Sequence, residues 1–93
     1  MDKLIVKQLV DKYFAEENRE SVFELLETTK VLGRTIGDRL RFAMIKMSQG
    51  NMAKLDMAIE VAQKDYRDLL LWTGFESIGS AEKWAEQEVE NQK

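Results

Sequence analysis

Proline is absent from all 93 residues of this chain. Because proline is the residue that most strongly stops a helix interior, every segment is free to be helical. Apolar residues recur at spacings of three and four, and no segment alternates as a half-buried strand would. Glycines punctuate this pattern at positions 33, 37, 50, 74 and 79. The sequence predicts an all-α fold: a compact bundle of four main helices plus a short C-terminal helix, with antiparallel neighbours.

Capping signals divide this pattern into segments. The spacing of Ser21 and Glu24 is typical of a capping box, and Gly33 favours a helix end. Asn51 is a favoured N-cap, and Gly74 closes the helix that Asn51 opens. The predicted helices cover residues 2–16, 21–32, about 36–49, 52–73 and the chain from 81 onward. The fourth is predicted to be uninterrupted, with a length of roughly 33 Å.

Length and composition indicate one domain, residues 1–93, without a membrane-spanning segment. The chain is 44% hydrophobic and 33% charged, with a net charge of −3. Its longest apolar run is Leu69 to Trp72, far short of the roughly 20 residues that a membrane-spanning helix needs. Cysteine is absent, which excludes a disulfide framework and favours the cytoplasm.

The residue types argue against catalysis. Histidine is absent as well as cysteine, so the commonest general base, the commonest transition-metal ligand and the thiolate nucleophile are all missing. Carboxylate pairs are frequent but lie on predicted polar faces, where nothing raises their pKa. We therefore expect no enzyme activity, no catalytic residues, no cofactor site and no metal site.

The predicted third helix and the turn before it are basic. Arg34, Arg39, Arg41 and Lys46 are opposed there by the single acid Asp38. One interpretation is a patch that contacts the phosphates of a nucleic acid, as in a nucleic-acid-binding regulatory protein. The interpretation we favour is that these side chains pair with the acidic second helix. The patch is weak because the whole chain is acidic.

The predicted fourth helix has more apolar surface than one core can bury. Leu71 and Trp72 follow the core positions Leu69 and Leu70 directly, and Phe75 comes just after the helix. A helix that is apolar all round needs a cover all round.

Two further apolar residues, Met57 and Val61, begin this second face. Together with Trp72 they fall about 120–160° around the helix from Ile59 and Ala62. The fifth helix could cover this face through Trp84 and Val89, or a second chain could. We predict a protein interface centred on this face, formed by Met57, Val61, Leu71, Trp72 and Phe75. The predicted function is a small non-enzymatic interaction protein, adaptor or regulatory in role, whose partner is another protein or a second copy in a homodimer.

Overall fold

Five α-helices and one short β-hairpin make up residues 3–90, the part of the chain that the computed structural model describes. The elements are α1 Lys3–Tyr13, α2 Glu16–Thr28, β1 Lys30–Val31, β2 Arg34–Thr35, α3 Asp38–Ser48, α4 Met52–Thr73 and α5 Ile78–Glu90. The predicted all-α fold class is confirmed. The predicted helix start at residue 2 lies outside the described residues.

The boundary between α1 and α2 differs from the prediction. The sequence predicts that the polar residues 16–19 interrupt the chain between the first two helices. In the structure these residues are helical, and the break falls at Phe14 and Ala15 instead. Arg19 fixes this corner because its Nε donates to the Phe14 carbonyl oxygen over 3.0 Å. Glutamates at 16 and 17 occupy the first turn of α2, where the helix dipole favours negative charge. The capping box predicted at Ser21 is therefore wrong, since Ser21 lies inside α2.

A β-hairpin with two residues in each strand replaces the predicted end of the second helix. Helix α2 stops at Thr28, and Thr29 donates from its Oγ1 to the Leu25 carbonyl over 2.6 Å. The strands then pair antiparallel, with Lys30 opposite Thr35. Leu32 and Gly33 form the turn with φ values of 56° and 77°, the pattern of a type I′ hairpin. Gly33 is left-handed as its position predicted, but in a hairpin turn and not at a helix end.

The start of α4 confirms its predicted cap. Residues Gln49 and Gly50 are both left-handed, with φ values of 52° and 83°. Asn51 then opens α4, because its side chain accepts from the Lys54 backbone N–H over 3.0 Å. Both bounds of α4 match the prediction.

The interior of α4 does not match the prediction. Asp65 has an extended backbone, with φ −158° and ψ 102°, so two helical segments meet there. Its Oδ1 accepts from the Arg67 backbone N–H over 3.0 Å, which caps the second segment as an N-cap residue does. The expected uninterrupted helix is therefore wrong at this residue.

The end of α4 and the start of α5 form a tight corner. Gly74 is left-handed with φ 79°, and the Phe75 N–H donates to the Leu70 carbonyl over 2.8 Å. This is the bonding of a Schellman cap. Helix α5 begins at Ile78 and not after Ser80, since the Ser77 Oγ accepts from the Ser80 N–H over 3.3 Å and serves as the cap.

One apolar core joins all five helices and the hairpin. Helix α3 contributes most to its centre, because four consecutive residues from Phe42 to Ile45 are fully buried. Helix α1 packs against α2, α3 and α5, and α3 also packs against α4. The remaining core residues lie on the other four helices, on β1 and in the connections, namely Val6, Leu9, Val10, Phe14, Val22, Leu26, Val31, Ile36, Leu55, Ala58, Ala62, Leu69, Leu70, Phe75, Ala81 and Ala85.

Candidate protein-interaction surface

The outer side of α4 carries large apolar side chains that the chain leaves in solvent. Met57, Leu71 and Trp72 are 57%, 58% and 62% exposed. Val61 is half-buried and packs against the edge of the core. We call these four residues the outer apolar face.

The break at Asp65 does not separate the two halves of the outer apolar face. An α-helix turns by about 100° per residue. On this count, Val61 lies roughly 100° around the helix from the centre of the buried side of the segment before Asp65. Trp72 lies roughly 100° from the centre of the buried side of the segment after Asp65, in the same direction. By the same count, Met57 and Leu71 both point away from the core, within roughly 80° of each other. The four side chains therefore follow one side of α4 across the break.

Phe75 does not belong to this face. It is only 2% exposed, because the left-handed turn at Gly74 reverses the chain and directs the ring into the core. Its ring centroid lies 5.4 Å from that of Trp84. The prediction that Phe75 takes part in an interface is therefore wrong.

Helix α5 does not cover Leu71 and Trp72. Trp84 packs elsewhere, since its ring lies against Phe75 on one side and stacks on Tyr13, at 6.2 Å between centroids, on the other. Val89 also packs against the core. Among residues 3–90, no side chain covers Met57, Leu71 or Trp72, which stay largely in solvent.

The basic side chains predicted as a nucleic-acid patch are dispersed among internal contacts. Arg41 has only 13% of its side chain exposed. It donates to Asp38 over 2.9 Å and to the Leu26 carbonyl over 3.0 Å, and Glu27 lies 3.6 Å away. The contact with Glu27 is the pairing with the acidic second helix that the sequence favoured.

The other three members of this patch also point in different directions. Lys46 donates to the Thr73 carbonyl over 2.8 Å and lies 4.8 Å from the centre of the Phe75 ring. Arg39 donates to the Glu76 carbonyl over 3.0 Å. Arg34 is exposed on β2. A phosphate-binding patch needs several free cations on one surface, so these contacts weaken the nucleic-acid interpretation.

Three adjoining hollows surround Tyr66, and sequence reasoning missed them. The first, of about 590 Å³, reaches from the break at Asp65 to Leu71. The second, of about 400 Å³, lies between the hairpin and Leu40. The third, of about 300 Å³, joins Leu32 to Arg67. Their walls come from segments that are distant in sequence, so no local pattern could have indicated them.

A cluster of polar side chains joins α1 to α5. Tyr13 donates its hydroxyl to a carboxylate oxygen of Glu88, and Lys12 donates to the Glu88 backbone carbonyl over 2.9 Å. Burial, with the hydrogen bond and charge of Glu88, raises the pKa of Tyr13 to about 12. The hydrogen bond from Tyr13 and the charge of Lys12 hold the pKa of Glu88 below its ordinary value.

The pair of Tyr13 and Glu88 should stabilise the fold between about pH 4.5 and pH 10. Glu88 has the lower pKa when folded, so its contribution is present above the ordinary value of 4.5 and is lost as the pH falls below it. Tyr13 has the higher pKa when folded, so its contribution is lost as the pH rises from 10.0 towards about 12. Urea unfolding of the native chain and of Tyr13→Phe, which keeps the ring, measures the effect. The difference in unfolding free energy should be largest near neutral pH and shrink on both sides; a constant difference would contradict the assignment.

Asp65 and Glu88 both have a lowered pKa, whereas a general acid needs a raised one. In Asp65 the cause is hydrogen bonding from Arg67. Within residues 3–90, no three Asp or Glu side chains converge as metal ligands would.

No helix in the described part of the chain is long and apolar enough to cross a membrane. No known protein family, curated protein or solved structure matches this chain.

Proposed function

We propose that this chain is a non-enzymatic protein-interaction module that forms a homodimer through the outer apolar face. The observation that carries the proposal is the exposure of two adjacent large apolar side chains, Leu71 and Trp72. Among the described side chains, large apolar groups in solvent occur elsewhere only at Leu4, Leu32 and Met57. Monomeric proteins rarely expose apolar patches of more than a few hundred Å², and tryptophan is among the residues most enriched at the energetic centres of interfaces.

A twofold arrangement of α4 would use the whole face. Met57 lies eight residues before Asp65, and Trp72 lies seven residues after it. A twofold axis near Asp65 would therefore place Met57 and Val61 of one copy against Leu71 and Trp72 of its partner, and the reverse. Such isologous pairing is the commonest in homo-oligomers. Specific interfaces bury more than about 1,000 Å², which two 22-residue helices can supply together with their flanking side chains.

Replacement of Trp72 by alanine should weaken the dimer without unfolding the chain. Truncation of an aromatic interface anchor costs about 2 kcal/mol or more, and a twofold interface contains Trp72 twice, so the dissociation constant should rise at least about 30-fold. Sedimentation velocity over a dilution series of the native chain and of Trp72→Ala measures both constants. Circular dichroism checks that the helical content is unchanged.

Leu32→Gly is the matched control, because it removes another large, exposed apolar side chain from a different surface. Its dissociation constant should equal that of the native chain. A native chain that remains monomeric throughout the dilution series would overturn the homodimer, as would a Trp72→Ala variant that dimerises normally.

A further inference from the structure

We propose that the hollow between the hairpin and Tyr66 binds an acidic segment of a partner protein that carries a bulky apolar side chain. We call it the hairpin hollow, and Val31, Leu32, Arg34, Ile36, Leu40 and Tyr66 line it together with Thr35 and Gly37. This surface is distinct from the outer apolar face, so the two proposals can fail independently.

The shape and lining of the hairpin hollow suit an apolar side chain. Its volume is about 400 Å³, within the usual range of roughly 300–1,000 Å³ for binding pockets. Val31 and Ile36 are buried and form its floor, while Leu40 and Tyr66 are half-buried at its walls. A leucine or phenylalanine side chain entering here would meet apolar groups on most sides.

The charge of the hairpin hollow selects an acidic partner. Of its eight lining residues, Arg34 alone is charged, and the guanidinium of Arg34 makes no hydrogen bond or ion pair with any other described residue. In the adjoining hollow, Arg67 is paired with Asp65 at 3.0 Å and Lys64 lies 3.4 Å from Glu60, so these charges are compensated within the chain. The uncompensated charge of the hairpin hollow is therefore that of Arg34. A guanidinium binds a carboxylate through two parallel hydrogen bonds, which gives Arg34 a partner of defined chemistry.

Leu32 adds an independent indication that this surface is used. Its side chain is 80% exposed, and its φ is 56°, a conformation that asparagine or glycine adopts far more readily. Leucine is therefore unfavourable at this position both for the backbone and for the exposed side chain. Backbone strain of this kind is concentrated at functional sites. A partner that covers Leu32 would use its side chain as one wall of the hairpin hollow.

Selection from a random peptide library displayed on phage, with the immobilised full chain as bait, tests the proposal. Selected peptides should combine Asp or Glu with Leu, Phe or Trp, and their affinity should fall as salt is added. Two variants then locate the contact. Arg34→Glu reverses the free charge, and Leu32→Gly removes the apolar wall. Each should lower peptide affinity at least tenfold.

The controls separate binding from folding and from total charge. Leu32→Gly relieves the backbone at the turn, so its melting temperature should be no lower than that of the native chain, and a loss of binding cannot come from unfolding. Lys83→Glu makes the same charge change as Arg34→Glu at an exposed position on α5, and it should bind the peptides normally. Trp72→Ala should also bind them normally.

Failure to select any peptide would overturn the proposal, and so would selected peptides without acidic residues. Binding that survives both Arg34→Glu and Leu32→Gly would place the peptides on another surface and would overturn it too. If Leu32→Gly instead weakens self-association, a second copy of the chain occupies the hairpin hollow and the peptide proposal is wrong.

Discussion

Gly50→Ala should destabilise the fold by about 2–5 kcal/mol. A Cβ atom at this position would lie 2.0 Å from the backbone carbonyl oxygen of Tyr13, closer than any real contact. Because that oxygen belongs to the last residue of α1, relief of the clash requires α1 to move away from the start of α4. The left-handed φ of 83° adds roughly 1–2 kcal/mol for any residue with a side chain, and overpacking adds about 1–3. Urea unfolding followed by circular dichroism measures the sum.

Substitutions of two other glycines distinguish the cost of the clash from the cost of the left-handed backbone. Gly74 is also left-handed at a helix end, with φ 79°, but has open space where its Cβ would stand. Gly74→Ala should therefore cost only about 1–2 kcal/mol. Gly79 lies within α5 and also faces open space, so Gly79→Ala should stabilise by roughly 0.5–1 kcal/mol. If Gly50→Ala and Gly74→Ala cost the same, the contact with Tyr13 contributes nothing.

Gly50 illustrates which parts of the fold a sequence can predict. Local capping chemistry was sufficient to predict that a helix ends near Gly50, that Asn51 opens the next one and that Gly74 closes it. Each of these depends on the backbone freedom of a glycine or on a hydrogen bond between groups within five residues of each other. The contact between Gly50 and the Tyr13 carbonyl joins two segments 37 positions apart, and no local pattern indicates it.

Two of the wrong predictions of local structure, the uninterrupted α4 and the missed hairpin, have physical causes. The break at Asp65 leaves no trace in the periodicity, because the buried residues on its two sides stay within roughly 30° of the phase of a continuous helix. The hairpin was missed because Leu32 occupies a turn position that normally holds asparagine. In its place, leucine extends the apolar pattern of α2 and resembles one more helical turn.

Only part of the candidate site could be predicted from the sequence, because some of its features are local and others depend on the fold. Excess apolar surface on α4 is visible in the sequence, since Leu71 and Trp72 follow two core residues without a gap, and both are exposed in the folded chain. Phe75 was assigned to the same face because a count of residues cannot show that the chain reverses after Gly74. The hairpin hollow combines residues 31–40 with Tyr66, so only the fold brings it together.

Phe75→Ala should be as damaging as Gly50→Ala, with a loss of about 3–5 kcal/mol. The ring lies in the core between Trp84, at 5.4 Å between centroids, and the Lys46 ammonium, at 4.8 Å. Its removal leaves a cavity where α3, α5 and the end of α4 meet. It also deprives the half-buried Lys46 of its contact with the Phe75 ring. Total stabilities of domains this small are about 5–15 kcal/mol, so the variant should melt far below the native chain.

Phe75→Leu and Trp72→Ala distinguish the cavity from the loss of an aromatic group in general. Leucine fills most of the space and should restore stability to within about 1.5 kcal/mol of the native chain. Trp72→Ala removes a larger ring from the surface of α4, and at concentrations where the chain is monomeric it should change stability by less than about 0.5 kcal/mol. Equal losses for Phe75→Ala and Trp72→Ala would mean that both rings are buried, which would contradict the exposure of Trp72 on which the homodimer depends.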